Sequence, residues 1–144
     1  MNKIAAAHAR LDQAGDLPAV LDAAYDAFED MLLVIRCHQD PAGGAFAAFV
    51  LSGASAANGR DEVASAPSLP RVSASPRTSA EGGVLAELSA EDAAVALAGL
   101  SRLLASRLRA AASSAPDADD QAACAEAARH AGQVLSLLGG AQGP

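Results

Sequence analysis

Residues 40–60 read DPAGGAFAAFVLSGASAANGR, and no charged side chain lies between Asp40 and Arg60. Asp40 is a typical helix cap, because its carboxylate can accept hydrogen bonds from the unpaired backbone N–H groups of a first turn. Pro41 suits the first helical position, where its missing N–H leaves no bond unmade. We therefore predict a helix over residues 41–57 that has no charged face.

The side chains of this segment are small or apolar around the whole helix. Phe46, Phe49 and Val50 share one arc, and most of the remaining positions are Ala, Gly or Ser. A helix of this kind is usually buried on more than one side. We expect the aromatic arc to pack on the preceding helix and the small residues to face another helix or another subunit. The predicted interface residues are Phe46, Phe49, Val50 and Gly53.

Four other segments show helical periodicity. The predicted helices outside the opening segment are 3–14, 17–38, 90–112 and 117–138. In the clearest of them, 17–38, apolar residues recur at spacings of three and four, and we assign Asp22, Asp26 and Asp30 to the exposed face. Because no segment alternates as a strand does, we predict an all-α fold. It is a four-helix bundle, with an up-down-up-down order favoured and the short N-terminal helix laid across it.

Residues 58–89 separate the third and fourth predicted helices. Within them, residues 61–83 contain Pro67, Pro70 and Pro76 among many serines, and no helical period survives there. This composition is typical of a linker that is extended where proline fixes the backbone. We predict that residues 1–144 form one domain with a long Ser/Pro-rich linker, which is either disordered or docked onto a surface.

The apolar content of the chain is rich in alanine and poor in aromatic residues. Hydrophobic residues make up 51% of the 144 residues, but aromatic residues only 3%. Alanine buries little area, so the hydrophobic stabilisation of such a core is modest. Self-association is one way for a thin core to gain buried area. We therefore expect a homo-oligomer or a complex with another protein.

The net charge is −7, and the ten basic residues are not clustered. Nucleic-acid binding needs a basic surface, so this class of function is disfavoured. The N-terminal residues lack the apolar stretch of a secretory signal, and residues 41–59 are too rich in Gly and Ser for a membrane span. Cys37 and Cys124 fit no disulfide framework. We expect a cytoplasmic protein with reduced thiols and with no membrane or nucleic-acid partner.

The best candidate site is the junction RCHQD at residues 36–40, which combines a guanidinium, a thiol, an imidazole and a carboxylate. An ordinary interpretation is also open, since Arg and His favour the end of one helix and Asp caps the next. The glycines that follow would let an anionic ligand approach the free N–H groups at the second helix start. The predicted ligand contacts at this corner are Arg36, His38, Asp40, Gly43 and Gly44.

Arg107 is a further candidate ligand contact, because it interrupts the apolar stripe of the predicted helix 90–112. A buried arginine needs a carboxylate partner or a bound anion. A position close to the helix end would also let its side chain reach water. In the up-down-up-down order, Arg107 and Cys124 come to the same end of the bundle as the junction at 36–40.

Glu126 and His130 lie four residues apart on one predicted helix, with Cys124 near them, and could share a metal. Two ligands do not make a site, and the paired Glu-x-x-His spelling of di-iron bundles is absent. A combination with His38 and Asp40 requires the bundle to bring distant segments together. Neither cysteine lies in a recognisable nucleophile motif. We predict no metal, no cofactor and no catalytic residue.

Three functional classes follow, in order of preference. The first is a non-catalytic protein–protein interaction or accessory subunit, oligomeric in solution, that uses its small-residue helix faces. The alternative is a helical bundle that binds an anionic small molecule in a pocket at the Arg36–Gly44 corner, with Arg107 contacting the anion. An enzyme comes third, because no complete catalytic set can be assembled from these residues.

Overall fold

The computed structural model describes residues 3–39, 46–70 and 89–140. Over these residues it is helical and contains no strand, so the predicted all-α class is confirmed. The five helices are α1 (Lys3–Gln13), α2 (Leu17–Cys37), α3 (Phe46–Ala64), α4 (Ala90–Ser114) and α5 (Ala118–Gly140). Except for α3, their boundaries lie within two residues of those that the sequence predicts.

Polar side chains set the start of three helices. The Asp16 carboxylate accepts a hydrogen bond from the N–H of Ala19 (2.9 Å) and caps α2. The Ser89 hydroxyl accepts one from the N–H of Asp92 (3.0 Å) and caps α4. The Asp117 carboxylate accepts one from the N–H two residues later (2.7 Å). Each bond satisfies a donor that the first helical turn leaves unpaired.

Ion pairs hold α1 antiparallel along α2. The guanidinium of Arg10 lies 2.6 Å from a carboxylate oxygen of Asp26 and 3.4 Å from one of Asp22. The ammonium of Lys3 lies 3.7 Å from a carboxylate oxygen of Asp30, which is buried. The prediction that these acids form a solvated face is therefore wrong for Asp26 and Asp30, because α1 brings two cations over them.

The other four helices form a ring in which α2 packs on α3, α3 on α5, α5 on α4 and α4 on α2. The short helix α1 packs on both α2 and α4. α3 is antiparallel to α2, because Gly53 approaches Ile35 near the end of α2 and Gly59 approaches Phe28 in its middle.

Two hydrogen-bonded pairs show the direction of α5. The Ser55 hydroxyl donates to Oε1 of Gln133 (3.2 Å), while Ser68, just after α3, bonds Asp120 in the first turn of α5. α5 is therefore antiparallel to α3. It is also antiparallel to α4, because only residues 115–117 separate these two neighbouring helices.

The resulting order is up-down-down-up, which differs from the predicted up-down-up-down order. α3 and α4 run in the same direction and occupy opposite positions in the ring. The physical reason is the length of chain between them, since 65–89 is long enough to return along a whole helix before α4 begins. A short connection would have forced α4 to run antiparallel to α3.

The uncharged helix is sheltered on two flanks as predicted, since α3 packs between α2 and α5. Its predicted end is wrong, because α3 continues through Gly59 to Ala64, so residues 58–64 are helix and not linker. Gly59 lies against the buried ring of Phe28, where an added Cβ would come within 2.5 Å of two ring atoms. This close packing outweighs the low intrinsic helix propensity of glycine.

A short stretch after α3, residues 65–70, docks on α5. Ala66 within it is buried. Ser68 donates both its backbone N–H (3.0 Å) and its hydroxyl (2.5 Å) to the carboxylate of Asp120, which is 1% exposed. This stretch is therefore held against α5 by both packing and hydrogen bonds. The remainder of the predicted linker, residues 71–88, lies outside the described residues.

Candidate functional site

At the carboxyl end of α2, the predicted junction is only partly packed. Arg36 and Cys37 are exposed. The His38 ring stacks on Phe49 of α3, with ring centroids 5.5 Å apart and planes 25° from parallel, and its Nε2 is buried without a hydrogen-bond partner. His38 therefore joins α2 to α3 by packing. The other predicted contacts at this corner lie outside the described residues: Asp40, Gly43 and Gly44.

At the amino end of α2, Arg107 lines a cleft of about 350 Å³ between the α1–α2 turn and the last turns of α4. Its Nη2 donates a hydrogen bond to the backbone carbonyl of Ala14, the residue that follows α1. Its Nε is buried and has no partner. We call this feature the Arg107 cleft. Its apolar lining consists of Ala14, Leu17, Val20, Ala110 and Ala111.

The structure does not bring Arg36 and Arg107 together. Val20 lines the Arg107 cleft, whereas Arg36 lies sixteen residues further along α2. At 1.5 Å per residue, these two positions on α2 are roughly 24 Å apart. The up-down-down-up order is the reason, since it takes the last turns of α4 to the amino end of α2. The same order takes Cys124 to that end and leaves Cys37 at the other.

The two cysteines differ in environment as well as in position. Cys124 is buried, and its burial together with the nearby Asp120 carboxylate raises the pKa of its thiol to about 11. A thiol with so high a pKa is a poor nucleophile at neutral pH, because little of it is thiolate. Cys37 is exposed at the end of α2.

Glu126 and His130 have different partners. The Glu126 carboxylate accepts a hydrogen bond from Arg129 (2.8 Å), and this bond lowers the pKa of Glu126. His130 is buried, and its Nδ1 lies 3.1 Å from Oε1 of Gln133, which also accepts from Ser55 of α3. The imidazole is thus linked to Ser55 of α3 through Gln133. Among the described residues, no three His, Cys, Asp or Glu side chains form a group that could hold a metal.

The outer face of α3, defined by Ala47, Val50, Leu51 and Ala54, is exposed. Val50 is 40% and Leu51 54% exposed, and the first fourteen residues of α3 carry no charge. The third large hydrophobic side chain with comparable exposure among the described residues is Val95 (57%) on α4, across the ring.

Of the four predicted interface residues, only Val50 lies on the outer face of α3. Phe49 is fully buried, Phe46 is partly buried and Gly53 lies against α2. Leu51 was not among the predicted residues. Leu51 follows Val50 directly but lies outside the arc that Phe46, Phe49 and Val50 share. The exposed side of α3 can be recognised only when α2 and α5 are known to cover its other two flanks.

In the part of the chain that the structure describes, none of the helices combines the length and the apolar content that a membrane span requires. Comparison with protein-family models, with curated proteins and with solved structures gave no match. The function is therefore inferred from the residues and contacts of this chain alone.

Proposed function

We propose that this chain is a non-catalytic accessory subunit, a four-helix bundle with a short fifth helix, that pairs with a second copy of itself through the outer face of α3. The observation that carries the proposal is the exposure of Val50 and Leu51 on a helix whose first fourteen residues are uncharged. Adjacent large apolar side chains that remain exposed to water are typical of contact surfaces.

The absence of charge on the outer face of α3 allows a second copy to be its occupant despite the net charge of the chain. Each chain carries a net charge of −7, so two copies repel each other in most orientations. The outer face of α3 brings no charge of either sign to a contact. A two-fold interface places the same face of both copies together, so an uncharged face pairs with itself without like-charge repulsion.

The thin core gives a reason for the pairing. Alanine is the commonest buried residue type, and the buried residues of α3 include Ser52, Ala56 and Gly59. Small side chains remove little apolar area from water when they are buried. Leu51 is 54% exposed, so burying it in both copies of a dimer stabilises the pair by roughly 2 kcal/mol.

Sedimentation velocity of the wild type and of Leu51→Glu tests the proposal. The wild type is expected to sediment as a dimer at micromolar concentration. Leu51→Glu places two like charges in the contact and is expected to sediment as a monomer with an unchanged helical circular dichroism spectrum. The matched control is Val95→Glu, which adds the same charge at an equally exposed position on α4 and is expected to remain dimeric.

Two results would contradict the proposal. One is a wild type that stays monomeric up to concentrations near 1 mM. The other is a dimer that Val95→Glu dissociates as strongly as Leu51→Glu does, because the contact would then not lie on α3.

The proposal also places this subunit in the cytoplasm. Cys37 is free and exposed, and Cys124 is free and buried. Exposed free thiols persist in reducing compartments and are readily oxidised outside them. Thiol titration of protein purified from its own host under non-reducing conditions is expected to give two free thiols in each chain.

A further inference from the structure

The Arg107 cleft is a feature of the described surface that neither the proposed dimer contact nor the core explains. It lies at the amino end of α2, where the last turns of α4 meet the α1–α2 turn. We propose that it binds a small monocarboxylate with a short aliphatic tail. The outer face of α3 contributes no residue to the cleft, so this inference is independent of the dimer.

Arg107 differs from the other described arginines. Arg10, Arg60 and Arg129 each form an ion pair with a carboxylate of this chain. Arg107 is partly buried, and no carboxylate among the described residues lies within 4.0 Å of its guanidinium. Partial burial of a charge without a counter-ion is unfavourable. A bound anion would supply the missing charge.

The exposed arginines need no such partner. Arg36, Arg102 and Arg109 are open to water, which solvates their charge. Arg107 instead has one N–H on a backbone carbonyl and a buried Nε with no acceptor. Its guanidinium therefore retains donors for a ligand, and the planar arrangement of those donors matches the two oxygens of a carboxylate.

The walls of the cleft determine the rest of the ligand. Leu17, Val20, Ala110 and Ala111 are apolar and suit an aliphatic tail. The volume of about 350 Å³ is at the small end of the range for ligand sites. Asp16 also lines the cleft, with one carboxylate oxygen bonded to the N–H of Ala19. Its negative charge disfavours a second negative group on the ligand, so the cleft selects a monoanion over a dianion.

Arg107 also has a structural role, which the experiment separates from binding. Its bond to the Ala14 carbonyl places a cation at the carboxyl end of α1, where the helix dipole favours it. A purely structural Arg107 would affect the free energy of unfolding without conferring affinity for a carboxylate. Binding and stability must therefore be measured on the same variants.

The test is a titration of the isotope-labelled protein with sodium hexanoate, followed through the backbone amide signals. Saturable shifts are expected at residues that line the cleft, such as Gly15, Leu17 and Ser114. Hexanol, which lacks the charge, and succinate, which carries two charges, are each expected to bind at least tenfold more weakly than hexanoate.

Three variants locate the site. Arg107→Gln is expected to weaken hexanoate binding about tenfold or more, because it removes the charge-assisted bonds. Ala110→Leu keeps Arg107 and fills the cleft from an exposed helical position, so it is also expected to abolish binding. Arg102→Gln removes an exposed arginine of the same helix and is the control, with unchanged affinity.

Each remaining outcome would overturn the inference. These are the absence of saturable shifts, binding of hexanol or succinate as tight as that of hexanoate, and unchanged affinity in a folded Arg107→Gln or in Ala110→Leu. If Arg107→Gln does not fold, the Ala110→Leu result decides the question by itself.

Discussion

α2 and α3 pack side by side, yet their buried stripes differ in the size of most of their side chains. The buried stripe through α2 contains Leu21, Ala24, Phe28, Met31 and Ile35. The buried residues of α3 are Phe49, Ser52, Ala56, Gly59 and Val63. Both stripes recur at spacings of three and four residues, so the two helices have the same period. They differ in volume, because α2 fills space that the small residues of α3 leave open.

The difference shows that a helix needs no strong contrast between apolar and polar faces in order to be buried. α3 packs on α2 and α5 because its small residues allow a close approach. At Gly59, even one added carbon atom would overlap the ring of Phe28. The contact therefore depends on complementary size, and the variants below alter one partner at a time.

Removing the large partner is expected to have the greatest effect. Phe28→Ala deletes a fully buried ring and leaves a cavity beside Gly59, so it is expected to lower the free energy of unfolding by about 3–5 kcal/mol. Urea denaturation followed by circular dichroism measures the change. The exposed substitution Val95→Ala is the control and is expected to change stability by less than about 0.5 kcal/mol. A loss below about 1 kcal/mol in Phe28→Ala would mean that the ring does not fill the contact.

Enlarging the small partner tests the same contact from the other side. Gly59→Ala is expected to destabilise the chain by about 1–2 kcal/mol, because overpacking against Phe28 exceeds the gain in helix propensity. The same substitution at Gly99 in α4, where nothing lies within 4 Å of an added Cβ, is expected to stabilise by about 0.5–1 kcal/mol. If the urea midpoints of both variants shifted in the same direction, this account would be contradicted.

A double-mutant cycle refines the test at Gly59. In a Phe28→Leu background the side chain opposite Gly59 is smaller, so the loss caused by Gly59→Ala is expected to shrink by about 1 kcal/mol. If Gly59→Ala lowers stability equally in both backgrounds, the strain does not come from the Phe28 ring.

The buried serine of α3 predicts a smaller effect of opposite sign. The hydroxyl of Ser52 is fully buried and has no hydrogen-bond partner. Ser52→Ala is therefore expected to leave stability unchanged or to raise it by up to about 1 kcal/mol. Ser55→Ala is the matched comparison on the same helix and is expected to lower stability by about 0.5 kcal/mol, since it removes the bond to Gln133. Thermal denaturation of both variants checks the two signs.

The last expected effect concerns α5, the other neighbour of α3, and appears only in alkaline solution. Burial and Asp120 hold the thiol of Cys124 protonated up to a pKa of about 11, against 9.0 for an unperturbed thiol. In alkaline solution the unfolded chain loses this proton first. The thiol therefore contributes stability that is present below pH 9 and is lost as the pH rises to 11. Cys124→Ser is expected to show a shallower alkaline loss in urea midpoints than the wild type, because it removes the titrating thiol.

The sequence was sufficient to predict local features of this fold. Helix positions follow from the spacing of apolar residues and from caps such as Ser89, because both signals act within a few residues. The end of α3 could not be predicted, because Asn58 and Gly59 are typical of a helix end. The helix continues through them because Gly59 packs against the ring of Phe28, a residue distant in sequence. The predicted order of the helices was wrong for a related reason, because a long connection permits α4 to run in either direction.

The candidate sites also combine features that the local sequence predicts with features that only tertiary packing determines. Arg107 was identifiable from sequence because a charged residue interrupts an apolar stripe. The helix order determines which end of α2 lies near Arg107. Because the predicted order was wrong, the predicted pocket combined Arg107 with Arg36, which lies at the opposite end of α2. The exposure of Leu51 depends on which flanks of α3 are covered, which is again a property of tertiary packing.

The docking of residues 65–70 on α5 has a consequence for how the chain could be divided. Through Ser68 and Asp120, the first three helices remain attached to the last two at a point before the long connection begins. Further contacts between these two groups of helices come from α3 on α5 and from α1 and α2 on α4. Two polypeptides expressed separately, 1–70 and 89–144, are therefore expected to recombine by complementation into one helical particle without a covalent bond between them.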